Sequence, residues 1–156
     1  MERFGHRHGL VDWCKWQTWI IFCPCWKWFH VSFETKAGLP DCWYIFLEMV
    51  AILSAIHHVA NFSRPPRQVL IYTDSLDSVA VFNTLSTSQP LHNSVPLRVA
   101  GIILWSGLDL HIRHIKGKKN IWADLLSQLL VDDYHLKFPA DRVCMFGPPH
   151  ELLPAW

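Results

Sequence analysis

The chain has 156 residues, 51% of them hydrophobic and 17% charged, with a formal net charge of +1. That length suits one domain with a substantial core, and the composition excludes a disordered chain. The near-zero charge excludes a protein that is basic overall. Any nucleic-acid partner must be met by local patches, here Arg64 and Arg67, and Arg113 with Lys116, Lys118 and Lys119.

Five cysteines (Cys14, Cys23, Cys25, Cys42 and Cys144) are odd in number and irregularly spaced. With no apolar segment typical of a signal peptide near the start, reduced thiols in an intracellular compartment are the expectation. Cys23-Pro-Cys25 lacks the second pair that a zinc site needs, so packing cysteines are the simpler reading. The apolar run over 19–26 is too short to span a bilayer, which predicts no membrane contact.

Tryptophans at 13, 16, 19, 26 and 28 crowd the first forty residues. Segments 19–22 and 28–33 read as two antiparallel strands, with Pro24 in the turn because it cannot donate to a ladder. Phe46, Met49, Val50, Leu53, Ile56 and Val59 recur at helical spacing, so the pattern predicts a helix over 44–61, ended by Pro65 and Pro66. A short apolar run over 69–73 predicts a strand. A helix over 75–85 follows, with Val79, Phe82 and Leu85 on one face. The spacing then predicts a helix over 91–106 stopped by Gly107, and a strand over 108–115 with alternating exposure. A turn over 116–120 and a helix over 121–130 come next. Beyond Val131, Pro139, Pro148, Pro149 and Pro154 predict a peripheral tail. The order of elements predicts a mixed α/β sheet with covering helices.

Three carboxylates stand in apolar surroundings. Asp74 ends the 69–73 strand, where α/β proteins build their sites, but it is equally suited to cap the next helix. Asp77 is a first-turn acid favoured by the helix dipole. Glu48 has Tyr44, Ile45, Ala51 and Ile52 one turn away and no basic residue at i±3 or i±4. A buried carboxylate without a partner costs several kcal/mol unless a cation meets it. Asp124 lies about one turn inside a helix that Asn120 is suited to cap, where a solvated surface acid is the competing reading. Lys116, Lys118 and Lys119 form a basic turn suited to a phosphate backbone, or simply a solvated loop.

The segments Phe46-Leu-Glu48-Met-Val-Ala-Ile, Ile71-Tyr-Thr-Asp74-Ser and His114-Ile-Lys-Gly-Lys-Lys-Asn120-Ile-Trp-Ala-Asp124-Leu-Leu-Ser carry a family pattern in register. Over residues 44–130 the chain resembles the ribonuclease H domain of LTR-retrotransposon reverse transcriptases, close to fungal ones. The resemblance implies a ribonuclease H-like α/β fold with a mixed central sheet of about five strands flanked by helices. It implies one domain over 1–131, with a divergent hairpin region at 1–43 and a proline-containing tail at 132–156.

The activity so implied is hydrolysis of the RNA strand of an RNA–DNA hybrid by two Mg²⁺ ions, with Mn²⁺ as a substitute. Oxygen ligands without Cys or His suit such ions. Glu48, Asp74 and Asp124 match the second, third and fourth family acids. His114 falls near the family's loop histidine, and Lys116, Lys118, Lys119 and Asn120 are the candidate nucleic-acid contacts.

The family also places an Asp in the first strand, followed by small residues. Asp12 is the only acid well placed for it, yet Trp-Cys-Lys-Trp-Gln-Thr-Trp follows. A polymerase domain of the parent reverse transcriptase is the expected partner in cis. Two rivals stand beside this reading. One is a catalytically degenerate module that binds nucleic acid or protein, with tryptophans stacking on bases. The other is an integrase-like enzyme, disfavoured because Glu48 precedes Asp74.

Overall fold

The computed structural model describes residues 17–22, 27–31, 41–127, 130–140 and 142–145. Strands β1 (Gln17–Phe22) and β2 (Lys27–Val31) pair antiparallel, with Trp19 opposite Phe29 and Ile20 opposite Trp28. Helix α1 (Asp41–Ala60) leads to β3 (Gln68–Thr73), and α2 (Leu76–Thr84) follows directly. A short 3₁₀ turn (Pro90–His92) precedes α3 (Ser94–Ser106), then β4 (Asp109–His114). A second 3₁₀ turn (Gly117–Lys119) leads into α4 (Ile121–Ser127), α5 (Val131–Lys137) and β5 (Arg142–Met145).

The protein is a mixed α/β fold, the class that the alternation of elements predicts. Strands β3 and β4 run parallel, with Thr73 opposite His114, and β1 lies antiparallel to β3 on its other side. The strand order is β4-β3-β1-β2-β5, with β5 parallel to β2.

The core is built around α1. Met49, Val50, Ile52, Leu53, Ile56 and Val59 are all fully buried. Ala51, Ser54 and Ala55 on the remaining arc are buried too. The apolar stripe predicts one buried face, but the middle of this helix, 49–56, is enclosed all round because α1 packs against β1, α2 and α3 at once. Ser54 is tolerated there because its hydroxyl donates to the Val50 carbonyl at 2.7 Å. In β3 the residues Val69, Ile71 and Thr73 point into the core, and Leu70 and Tyr72 are half-covered.

Two boundaries differ from the sequence reading for steric reasons. The helix predicted over 91–106 is broken at Asn93, so that α3 starts at Ser94. Pro96 then falls in the first turn, where its missing N–H is one of the orphans anyway. A helix running on from 91 would set its ring against a carbonyl one turn earlier. Helix α2 ends on Leu85, expected on the buried face beside Phe82, which instead adopts φ 51° in the left-handed region. A side chain with a Cβ is disfavoured there by about 1–2 kcal/mol. Leu85→Gly would relieve that strain but give up the buried part of a side chain only 37% exposed, so the two effects oppose and urea unfolding should show a net change of no more than about 1 kcal/mol.

Within the stretch expected to be a peripheral tail, the described residues hold α5 and β5. Helix α5 sets Tyr134 at 0% exposure against Leu126 of α4, with Leu125 and Phe138 beside them. The Tyr134 and Phe138 rings lie 5.2 Å apart. Residues 146–156 lie outside the described residues, as do Cys14, Cys23, Cys25, Trp13, Trp16 and Trp26. Among the described residues no helix is long and apolar enough to cross a membrane.

At the outer edge of the sheet, β4 exposes Asp109, His111 and Arg113 as the alternation predicts, and His114 as well, where the alternation breaks at the strand end. Gln68 Nε2 donates to Asp109 Oδ2 at 2.9 Å, and His111 Nε2 lies 3.2 Å from Oδ1. The Gln68 bond first, and His111 second, hold the Asp109 carboxyl below its usual range. The stability this adds is complete above the ordinary carboxylate range and is lost as pH falls through the lowered value. An NMR titration of Asp109 should show a midpoint below the ordinary range, moving upward in Gln68→Ala.

Candidate functional site

The site is assembled at the carboxyl end of β3. Thr73 is buried there, and its carbonyl accepts from Ile115 N–H at 2.9 Å, so β4 runs alongside to the same edge. Asp74 comes next and is exposed. Two roles compete for that carboxylate, and geometry removes one. The cap of α2 is Ser75, in extended conformation (φ −85°, ψ 107°), whose Oγ accepts from Ser78 N–H at 3.2 Å. Ser75 is in turn held by Thr73, whose Oγ1 accepts the Ser75 N–H at 3.1 Å. Among the described residues nothing donates to the Asp74 carboxylate, which is left for solvent or a ligand.

Glu48 reaches the same junction from α1. It is half-buried, and its Oε2 accepts from the Ser78 hydroxyl at 3.3 Å. Ser78 lies in the first turn of the helix that Asp74 precedes. The positive end of that helix favours an acid there. The apolar neighbours on α1 single out Glu48 in the sequence. They do not reveal its partner, which lies 30 residues further along the chain.

The basic turn closes over Asp74 from β4. A Cβ built on Gly117 would lie 3.8 Å from Asp74 Oδ2. That is an ordinary contact, so the glycine is not required for space, but it locates the loop against the carboxylate. Lys116, Lys118 and Lys119 on this loop are exposed, as is His114 at the end of β4. Asn120 is 6% exposed, so its side chain is turned inward and not out toward a large ligand. It immediately precedes α4, the position expected of a cap.

Asp124 lies on α4, and that helix packs against β1 and the basic turn. The Asp124 side chain and the whole of Asp12 lie outside what the structure describes. β1 itself, Gln-Thr-Trp-Ile-Ile-Phe, carries no acid, and neither does β2. Because β1 is antiparallel to β3, with Ile20 opposite Tyr72, the chain enters β1 at the edge where Asp74 sits. Among the described residues no three His, Cys, Asp or Glu side chains form a metal-binding group. The described part of the site is thus Asp74 with the basic turn against it, and Glu48 bound through Ser78 to the helix that Asp74 precedes.

Sequence reasoning missed Ser75, Ser78 and Thr73. For the cap a signal was present: Ser75, directly after the acid, is itself a favoured capping residue. Comparison with known proteins finds no matching family model, no matching curated protein and no matching solved structure.

Proposed function

We propose that this chain is a ribonuclease H-like domain, of the retrotransposon reverse-transcriptase type, that hydrolyses the RNA strand of RNA–DNA hybrids. The observation that carries the reading is the Asp74 carboxylate, exposed at a sheet edge and relieved of capping by Ser75, with Glu48 at the same junction. The donors are hard oxygens, one of them partly desolvated, and this set fits magnesium. Asp74, Glu48 and Asp124 would hold the ions, with Asp12 as the candidate fourth ligand. Bound magnesium would supply activation of water and stabilisation of the leaving oxygen.

The chain's own residues do the rest. Ser78 orients Glu48 through its hydroxyl, and Thr73 and Ser75 fix the backbone on which Asp74 stands. Lys116, Lys118 and Lys119 offer charge to phosphates beside the acids. His114, exposed at the end of β4, would exchange a proton with solvent or leaving group. A polymerase domain in cis and an intracellular compartment complete the proposal.

The test is cleavage of a labelled RNA–DNA hybrid by the purified chain in Mg²⁺ or Mn²⁺, beside a control nuclease. An intact RNA strand where the control cuts rejects the reading. The absence of any acid in β1 favours one second reading, a non-catalytic module that keeps the hybrid-binding surface. Hybrid binding without metal-dependent cutting selects it.

A further inference from the structure

The outward side of α3 is built like a helix interface. At about 100° per residue, positions 94, 97, 98, 101, 104 and 105 fall on one arc, and all six are exposed. Leu97, Leu104 and Trp105 on it are 61%, 84% and 60% exposed. Arg98 is the only charged residue in the helix. The opposite arc is already spent on the core, where Val95, Val99 and Ile102 are buried. A helix apolar on both arcs belongs between two partners, and among the described residues only one is present.

Gly101 stands at the centre of the exposed arc. A Cβ there would meet nothing within 4 Å, and the residue is not in the left-handed region, so the described residues give no reason for glycine. An exposed glycine inside a helix is less stable than alanine. Its use is to let another backbone approach closely, with Leu97 and Trp105 one turn away on either side. We infer that α3 packs on α3 of a second copy of this chain, antiparallel, crossing at Gly101.

The occupant follows from the pattern. A two-fold axis through Gly101 sets Leu97 against the partner's Trp105, and Arg98 beside the same ring, where a guanidinium is favoured. The two Arg98 side chains fall on opposite sides of the crossing and do not oppose one another. The face has no acid with which to select a basic partner, whereas its own copy satisfies both the apolar stripe and the lone arginine. The exposed arc presents on the order of 500 Å². Buried twice, it reaches the ~1,000 Å² at which specific interfaces begin. The dimer is accordingly weak, with a Kd of about 10–100 μM.

Sedimentation velocity on the full chain from about 1 to about 300 μM reads this directly. The wild type should pass from monomer to dimer across that range. Leu104→Glu, at a position exposed enough to keep the fold, should weaken association by at least about tenfold. Gly101→Ala provides an independent reading because its two effects have opposite signs. Dilute protein should melt a few degrees higher from the better helix former, while the dimer weakens by about tenfold as the Cβ fills the notch. A wild type that stays monomeric at the highest concentration overturns the inference. So do polydisperse aggregates, or a dimer that both variants leave unchanged.

Discussion

Asp74→Asn is expected to lower the proposed metal-dependent cutting of an RNA–DNA hybrid by about 10³-fold, equivalent to about 4 kcal/mol of transition-state stabilisation. The substitution preserves shape and removes charge, and a neutral amide cannot balance a dication that a carboxylate holds. Stability should move by no more than about 0.5 kcal/mol, because the side chain is exposed and the cap is Ser75. Cleavage rates and thermal melts on the same samples separate the two effects. An active Asp74→Asn would remove Asp74 from the site. A variant that lost activity and fold together would mean that the carboxylate serves the β3–α2 turn. Glu48→Gln tests the second carboxylate differently, since its amide oxygen still accepts from Ser78.

Tyr134→Ala should have the largest effect on stability among changes outside the α1 core. Tyr134 is completely buried between α4 and α5, and its truncation removes an aromatic from a small cluster of Leu125, Leu126 and Phe138. Comparable truncations cost about 3–5 kcal/mol. For a chain of this size that lowers the melting temperature by about 10 °C. The proposed site would be affected through α4, which carries Asp124 and shares the cluster through Leu126. An unchanged melt would mean that α5 is an appendage, as the prolines of the terminal stretch suggest.

Much of the frame was legible because its signals are local. The recurrence from Phe46 to Val59 is a property of one helix, and the run before Asp74 is a property of one strand, so both elements lie where periodicity predicts. Helix α5 was not legible. Val-Asp-Asp-Tyr-His-Leu-Lys is largely polar, and its one deeply buried residue finds its partner on another helix. The cap was not legible for a subtler reason. Asp74 and Ser75 are both good capping residues, and which one caps depends on where the backbone leaves the strand, by a single residue.

The sequence by itself determined the mixed α/β class, the α1 helix, the β3 strand and the suspicion attached to Glu48 and Asp74. Each of these follows from residues within a turn or two of one another. Only the tertiary structure decided that the middle of α1 is enclosed on every side, that Ser78 meets Glu48, and that the lysine turn lies against Asp74. Among the described residues it also left the outer arc of α3 uncovered. Those outcomes depend on which elements pack together, and hydrophobic burial is non-directional: an apolar stripe declares that it needs a neighbour without saying which one.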